Sequence, residues 1–65
     1  MSDQPIRTLI VDDEELARRG VELRLARHPD ITVVGHCSNG REAIEAVVAQ
    51  RPDLMFLDIQ MPGIS

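Results

Sequence analysis

Sixty-five residues with a formal charge of −4, one cysteine and neither tryptophan nor tyrosine set a single domain as the upper bound. A chain this short buries only about 60% of its unfolded surface, so its core needs a metal or more protein, and Cys37 alone excludes an intrachain disulfide. The apolar share of 43% beside 28% charged residues excludes disorder as the default, and the excess of 11 acidic over 7 basic residues opposes direct binding of nucleic acid by this segment.

The longest apolar runs fall far short of the roughly 18 residues of a membrane span, and residues 1–5, an extended or disordered tail, lack the layout of an export signal. A cytoplasmic protein with no membrane partner is expected. Cys37 fits a reducing compartment, as a small buried hydrophobe.

In chain order, Ile6-Arg7-Thr8-Leu9-Ile10-Val11 is rich in β-branched residues and stops at Asp12-Asp13-Glu14-Glu15, the pattern of a buried strand ended by charge. The acids double as a helix start, with aspartate at the N-cap and carboxylates against the positive end of the helix dipole. Leu16, Ala17, Gly20, Val21, Leu23 and Leu25 supply an apolar stripe for a helix over 14–27, stopped by His28-Pro29-Asp30. Arg18, Arg19, Arg24 and Arg27 alternate with Glu14, Glu15 and Glu22 as a solvated face of surface pairs, and His28 is a terminus residue and not a ligand.

A second strand spans Ile31-Thr32-Val33-Val34-Gly35-His36-Cys37, its glycine marking a bulge or a close backbone approach. Ser38 or Asn39 caps a second helix with Ala43, Ile44, Val47 and Val48 on one face, ending near Gln50 ahead of Pro52. Leu54-Met55-Phe56-Leu57 reads as a central strand covered on both faces, terminated by Asp58, with a loop over 59–65. Strand, helix, strand, helix, strand with short connections is the βαβαβ half of a doubly wound parallel α/β sheet, with helices on both faces.

Strands one and three both end in aspartate, Asp12-Asp13 on one and Asp58 on the other. In an open parallel sheet, ligands bind outside the carboxyl ends of the strands where strand order reverses. If strands one and three are adjacent, three carboxylates converge, and at about 4 Å each pair repels by about 4 kcal/mol at an effective dielectric constant of 20. A hard divalent cation that retains water, Mg²⁺, relieves that repulsion. Taken singly, Asp12 and Asp13 serve equally well as a strand stop and an N-cap, and Asp58 as a turn residue. His36 is expected exposed and not ligating, because oxygen donors suit a hard cation. Met61 is expected to pack, and Pro62-Gly63 to make a turn, whose backbone N–H groups can also hold anionic oxygens.

Leu9-Ile10-Val11-Asp12-Asp13-Glu14, Asn39-Gly40-Arg41-Glu42-Ala43 and Asp53-Leu54-Met55-Phe56-Leu57-Asp58-Ile59-Gln60-Met61-Pro62-Gly63, in this order, resemble the receiver domain of two-component response regulators over the whole chain. The resemblance implies a flavodoxin-like fold with strand order 2-1-3. It implies that Asp58 is the phosphoacceptor, that Asp13 ligates Mg²⁺ directly and Asp12 mainly through water, that Asp58 itself joins the metal's ligands, and that Gln60 gives its backbone carbonyl. The donor would be a phosphohistidine on a sensor histidine kinase, and phosphorylation would switch an output domain. Such a domain is a signalling phosphoacceptor and not an enzyme, beyond weak self-phosphorylation and dephosphorylation. Ile59 and Gln60 are similar to regulators with LytTR-type DNA-binding outputs.

Receivers are about twice this length and add a Ser or Thr after strand four and a Lys after strand five, whereas this chain has neither strand and no lysine. The match is to the N-terminal half of a receiver. Strand three would then be an open edge, so the segment is expected to belong to a longer chain or to associate through that edge. The alternative is a non-catalytic half-receiver acting only as an interaction module.

Overall fold

The computed structural model describes residues 4–57, in the order β1 (Ile6–Val11), α1 (Glu15–Leu25), β2 (Ile31–Cys37), α2 (Gly40–Gln50) and β3 (Leu54–Leu57). Asp58, Gln60 and the loop over 59–65 lie outside the described residues. The three strands form one parallel sheet in the order β2-β1-β3, the order expected from the resemblance.

β1 is the centre of the molecule. Thr8, Leu9, Ile10 and Val11 are at most 1% exposed, and full burial of each large aliphatic side chain contributes roughly 1.5–3 kcal/mol. Because strand side chains alternate in direction, Leu9 and Val11 pack on one face with Cys37, Ala43 and Ala46 of the α2 side. Ile10 and its register partner Phe56 face α1 on the other. The end of the sheet opposite the acids is stapled by Arg7 and Asp53: the Arg7 N–H donates to Asp53 Oδ2 at 3.0 Å and the Asp53 N–H to the Arg7 carbonyl at 2.7 Å.

β3 corrects one expectation. Its four residues pair with β1 alone among the described residues and remain 39–42% exposed, so β1 is the covered central strand and β3 an edge. An edge is the outcome expected for a sheet without later strands.

Both helices bury a narrower stripe than their sequences suggested. On α1, Leu25 is buried and Ala17 and Val21 are partly buried, whereas Leu16 is 78% and Leu23 66% exposed. At 3.6 residues per turn, Leu16 and Leu23 lie about 140° and 160° from the midpoint of the arc that Ala17, Val21 and Leu25 span. α1 also closes two residues before the expected Arg27, in a tightened turn where the Arg27 N–H donates to the Arg24 carbonyl at 3.3 Å and the His28 N–H to the Leu25 carbonyl at 2.9 Å. Among the described residues the arginine–glutamate pairs expected along α1 do not form, and Glu22 Oε1 instead lies 3.2 Å from His36 Nε2.

On α2 the small residues face inward. Ala43 is buried and Ala46 packs against the core, while Ile44 and Val48, expected on that face, are 70% and 73% exposed. Alanine lets the helix approach the sheet closely, and the 100° step per residue then turns both branched residues outward. α2 opens with a variant of the capping box: Asn39 Oδ1 accepts from the Glu42 N–H at 2.8 Å, and Glu42 Oε1 reaches one residue past the cap, accepting from the Ser38 N–H at 2.7 Å and the Ser38 hydroxyl at 2.9 Å. It ends at Arg51, whose N–H donates to the Val47 carbonyl and whose left-handed φ of 49° turns the chain out of the helix just before Pro52.

Gly35 meets both readings of a strand glycine. The β1–β2 register steps from Thr8↔Val33 to Leu9↔Gly35, leaving Val34 as the extra residue of a bulge, and a Cβ on Gly35 would sit 3.1 Å from Leu9 Cδ1.

Candidate functional site

The carboxyl ends of all three strands meet at one edge. Val11 is the register partner of Cys37 in β2 and of Leu57 in β3. Asp12 is the next residue after β1, and Leu57 immediately precedes Asp58 in the sequence. The shift introduced by the Val34 bulge brings Cys37 opposite Val11, and from there the Asp12 N–H donates to the Cys37 carbonyl at 3.0 Å.

Asp12 is held on two further sides. Its Oδ1 accepts from the Glu14 N–H at 2.9 Å, and its carbonyl accepts from Arg18 Nη1 at 2.6 Å. The side chain thus folds into an Asx turn. The expected aspartate N-cap is corrected: Glu14 occupies the N-cap, with extended backbone and no side-chain hydrogen bond of its own, while its N–H donates to Asp12 Oδ1. Asp12 is partly buried and Asp13 exposed. No hydrogen bond or ion pair within the described residues engages the Asp13 carboxylate.

The donor chemistry suits a hard cation. Asp12 keeps a second carboxylate oxygen outside its turn and Asp13 keeps both, and two carboxylates completed by water are a normal partial shell for Mg²⁺. Among the described residues no third His, Cys, Asp or Glu joins them; the other expected ligands, Asp58 and Gln60, lie outside those residues. His36 is exposed, as expected, and turned to Glu22. A concavity of about 410 Å³ opens on the α1 side of the sheet, lined by Ile10, Ala17, Val21 and Phe56 together with Asp12 and Glu14.

Arg18 is the participant that sequence reasoning missed, since it was read as part of a solvated face. The available signal was directional: helix side chains lean toward the N-terminus, so a long cation in the first turns of α1 reaches back to the strand end. Among the described residues its buried Nε–H has no hydrogen-bond partner, and its charge reaches two neighbours beside the site. Burial pushes the Cys37 thiol up, as does the Glu42 carboxylate, while Arg18 opposes both. The Ser38 N–H and then the Ser38 hydroxyl hold the Glu42 carboxyl below its usual range, with a smaller contribution from Arg18.

No helix among the described residues is long and apolar enough to cross a membrane. Residues 8–65 match the family model of the response regulator receiver domain. The transcriptional regulatory protein BtsR of Escherichia coli is 57% identical over 60 residues, covering 92% of this chain and 25% of BtsR. The nitrate/nitrite response regulator protein NarL of the same species is 46% identical over 66 residues, covering all of this chain and 31% of NarL. The chain thus spans between a quarter and a third of the length of these curated relatives. Among solved structures, the signal receiver domain of Mycobacterium tuberculosis NarL superposes with a TM-score of 0.86 at 37% identity, over 92% of this chain and 48% of that one. The response regulator domain of Thermotoga maritima CheB gives 0.87 at 35% identity, over 95% and 46%. With its parallel β2-β1-β3 sheet and its acid pair at the carboxyl end of β1, the chain belongs to the receiver domain family of two-component response regulators.

Proposed function

We propose that these residues are the N-terminal half of a receiver that accepts a phosphoryl group from a sensor histidine kinase on Asp58 and thereby switches an output domain. The observation that carries the proposal is the parallel pairing of Val11 with Leu57, which sets the chain leading into Asp58 beside the chain leading into Asp12 and Asp13. The carboxyl ends of β1 and β3 thus lie at one edge, where ligands of open parallel sheets bind, which supports joint use of the acids that follow them in the sequence. The family match, carried through residue 65, favours this function over a non-catalytic association module.

An Asp58 carboxylate oxygen would attack phosphorus as the bond to the kinase imidazole nitrogen breaks, leaving an acyl phosphate on Asp58 and neutral imidazole on the kinase. Catalysis of such a transfer is mostly positioning and charge neutralisation. Mg²⁺, held by Asp12, Asp13, Asp58 and the Gln60 carbonyl, would supply the neutralisation when bound. The rigid turn at Asp12 serves the positioning. The names of BtsR and NarL, a transcriptional regulatory protein and a nitrate/nitrite response regulator, support an output in gene control, and a cytoplasmic setting follows from that role. The exposed β3 edge supports dependence on further protein, either the remainder of a longer chain or a second copy joined through that edge.

The test is an intact-mass spectrum of the full-length protein after incubation with Mg²⁺ and a small acyl phosphate, beside Asp58→Asn. A single phosphoryl adduct, absent from the variant, is expected. An adduct that persists in the variant, or none on the unsubstituted protein even with a histidine kinase, refutes the assignment.

A further inference from the structure

We propose that Arg18 is a positioning residue for the acidic pair, anchoring the peptide that joins Asp12 to Asp13; the inference rests on Asp12 and Asp13 being the Mg²⁺ ligands. The Asp12 carbonyl belongs to the planar unit that ends at the Asp13 Cα. Fixing that oxygen therefore fixes the direction in which Asp13 leaves the strand. The Asp12 N–H is secured by the Cys37 carbonyl at 3.0 Å, and the bond from the Glu14 N–H to the Asp12 carboxylate at 2.9 Å closes a turn around the Asp12–Asp13 peptide without touching its carbonyl oxygen. The bond from Arg18 Nη1 holds that oxygen directly, at 2.6 Å and partly buried.

One feature separates this contact from an incidental surface bond. The guanidinium occupies its place with Nε–H buried and, among the described residues, unpartnered, an arrangement that a residue free to turn into water would not keep. Arg18 itself stays outside any ligand shell, since a guanidinium has donors and no acceptor.

Calorimetric Mg²⁺ titration of the full-length protein, with Arg18→Gln, Arg18→Lys and Asp13→Asn, tests the assignment, each variant's urea midpoint in metal-free buffer recording fold stability. Glutamine is too short to reach the Asp12 carbonyl, whereas a lysine ammonium spans the distance and can replace a single donated bond. Arg18→Gln is expected to weaken Mg²⁺ binding roughly tenfold, as loss of outer-shell support does, and Arg18→Lys to recover most of it. Gln and Lys variants that both bind like the parent, or are weakened alike, overturn the proposal. If the parent binds no Mg²⁺, or Asp13→Asn binds as well as the parent, the metal assignment itself is wrong and the proposal falls with it. Arg18→Met, which keeps an unbranched stem without a donor, replaces Arg18→Gln if that variant does not fold; if neither folds, Arg18 is a structural residue and the proposal is overturned.

Discussion

Leu9 and Gly35 form a pair whose energies should not add. Leu9 is fully buried in the cluster with Val11, Cys37 and Ala43, and its Cδ1 lies 3.1 Å from where a Cβ on Gly35 would be. Gly35→Ala alone carries two opposing effects. Alanine restricts the unfolded chain and gains about 0.4–1 kcal/mol where the native backbone tolerates it, but the contact with Leu9 is overpacked, which costs about 1–3 kcal/mol. The net expectation is a loss of roughly 1–2 kcal/mol. Leu9→Ala alone removes a buried branched side chain for about 2–5 kcal/mol. In the double variant the Cδ1 that obstructs the new methyl is gone and the methyl enters the vacated space, so Gly35→Ala changes sign and stabilises by about 0.4–1 kcal/mol. The coupling energy is therefore about 1–3 kcal/mol, within the range for residues in contact. Urea unfolding of the full-length protein, followed by far-UV circular dichroism because this segment has no tryptophan or tyrosine, measures all four corners of the cycle. Additivity within about 0.5 kcal/mol would show that Leu9 yields freely and that close packing is not why β2 carries glycine here.

Asn39→Ala removes the side-chain acceptor for the Glu42 N–H and should cost about 1 kcal/mol in chemical denaturation, whereas Asn39→Asp, which keeps the acceptor, should cost far less. Glu42 gives the chain a pH dependence of known sign. Because its folded pKa lies below the ordinary carboxylate value, its contribution is complete above the unfolded pKa and is lost as pH falls through the folded one. Glu42→Gln should therefore flatten the acid limb of urea midpoint against pH, and an unchanged limb would mean that the bonds from Ser38 do not favour the charged form.

The legible part of the molecule was its elements and their order. Six consecutive residues ending in Asp12-Asp13, and a four-residue apolar run ending before Asp58, mark two strand ends by the abruptness of the charge, and β-branched density separates the strands from the helices between them. Helix faces were less legible, because hydrophobicity does not report which apolar side chains a half-sheet can reach. Leu16, Leu23, Ile44 and Val48 carry the apolar signal and stand exposed, while the inward positions are held by Ala17, Ala43 and Ala46, whose small side chains barely register in the pattern. The Asp12 turn shows a third limit. An aspartate before a helix is equally compatible with an N-cap and with an Asx turn, and Arg18, whose guanidinium binds the Asp12 carbonyl from six residues away, is as a sequence symbol one more charged surface residue.

The acidic turn and the core are mechanically the same object. Asp12 continues β1, the most buried element, and its backbone N–H is bonded to the end of β2 at a register that exists only because Val34 bulges. Any change that removes the bulge slides Cys37 away from Val11, takes the acceptor from the Asp12 N–H, and turns every side chain of the shifted part of β2 to the opposite face. On the other flank β3 is bonded along its length to β1 and is held at its start by Arg7 and Asp53. Precision at the carboxyl edge is thus set by the β1 pairings on both sides, and Arg18 extends that precision one peptide farther, to the residue where the strand's own hydrogen bonds stop.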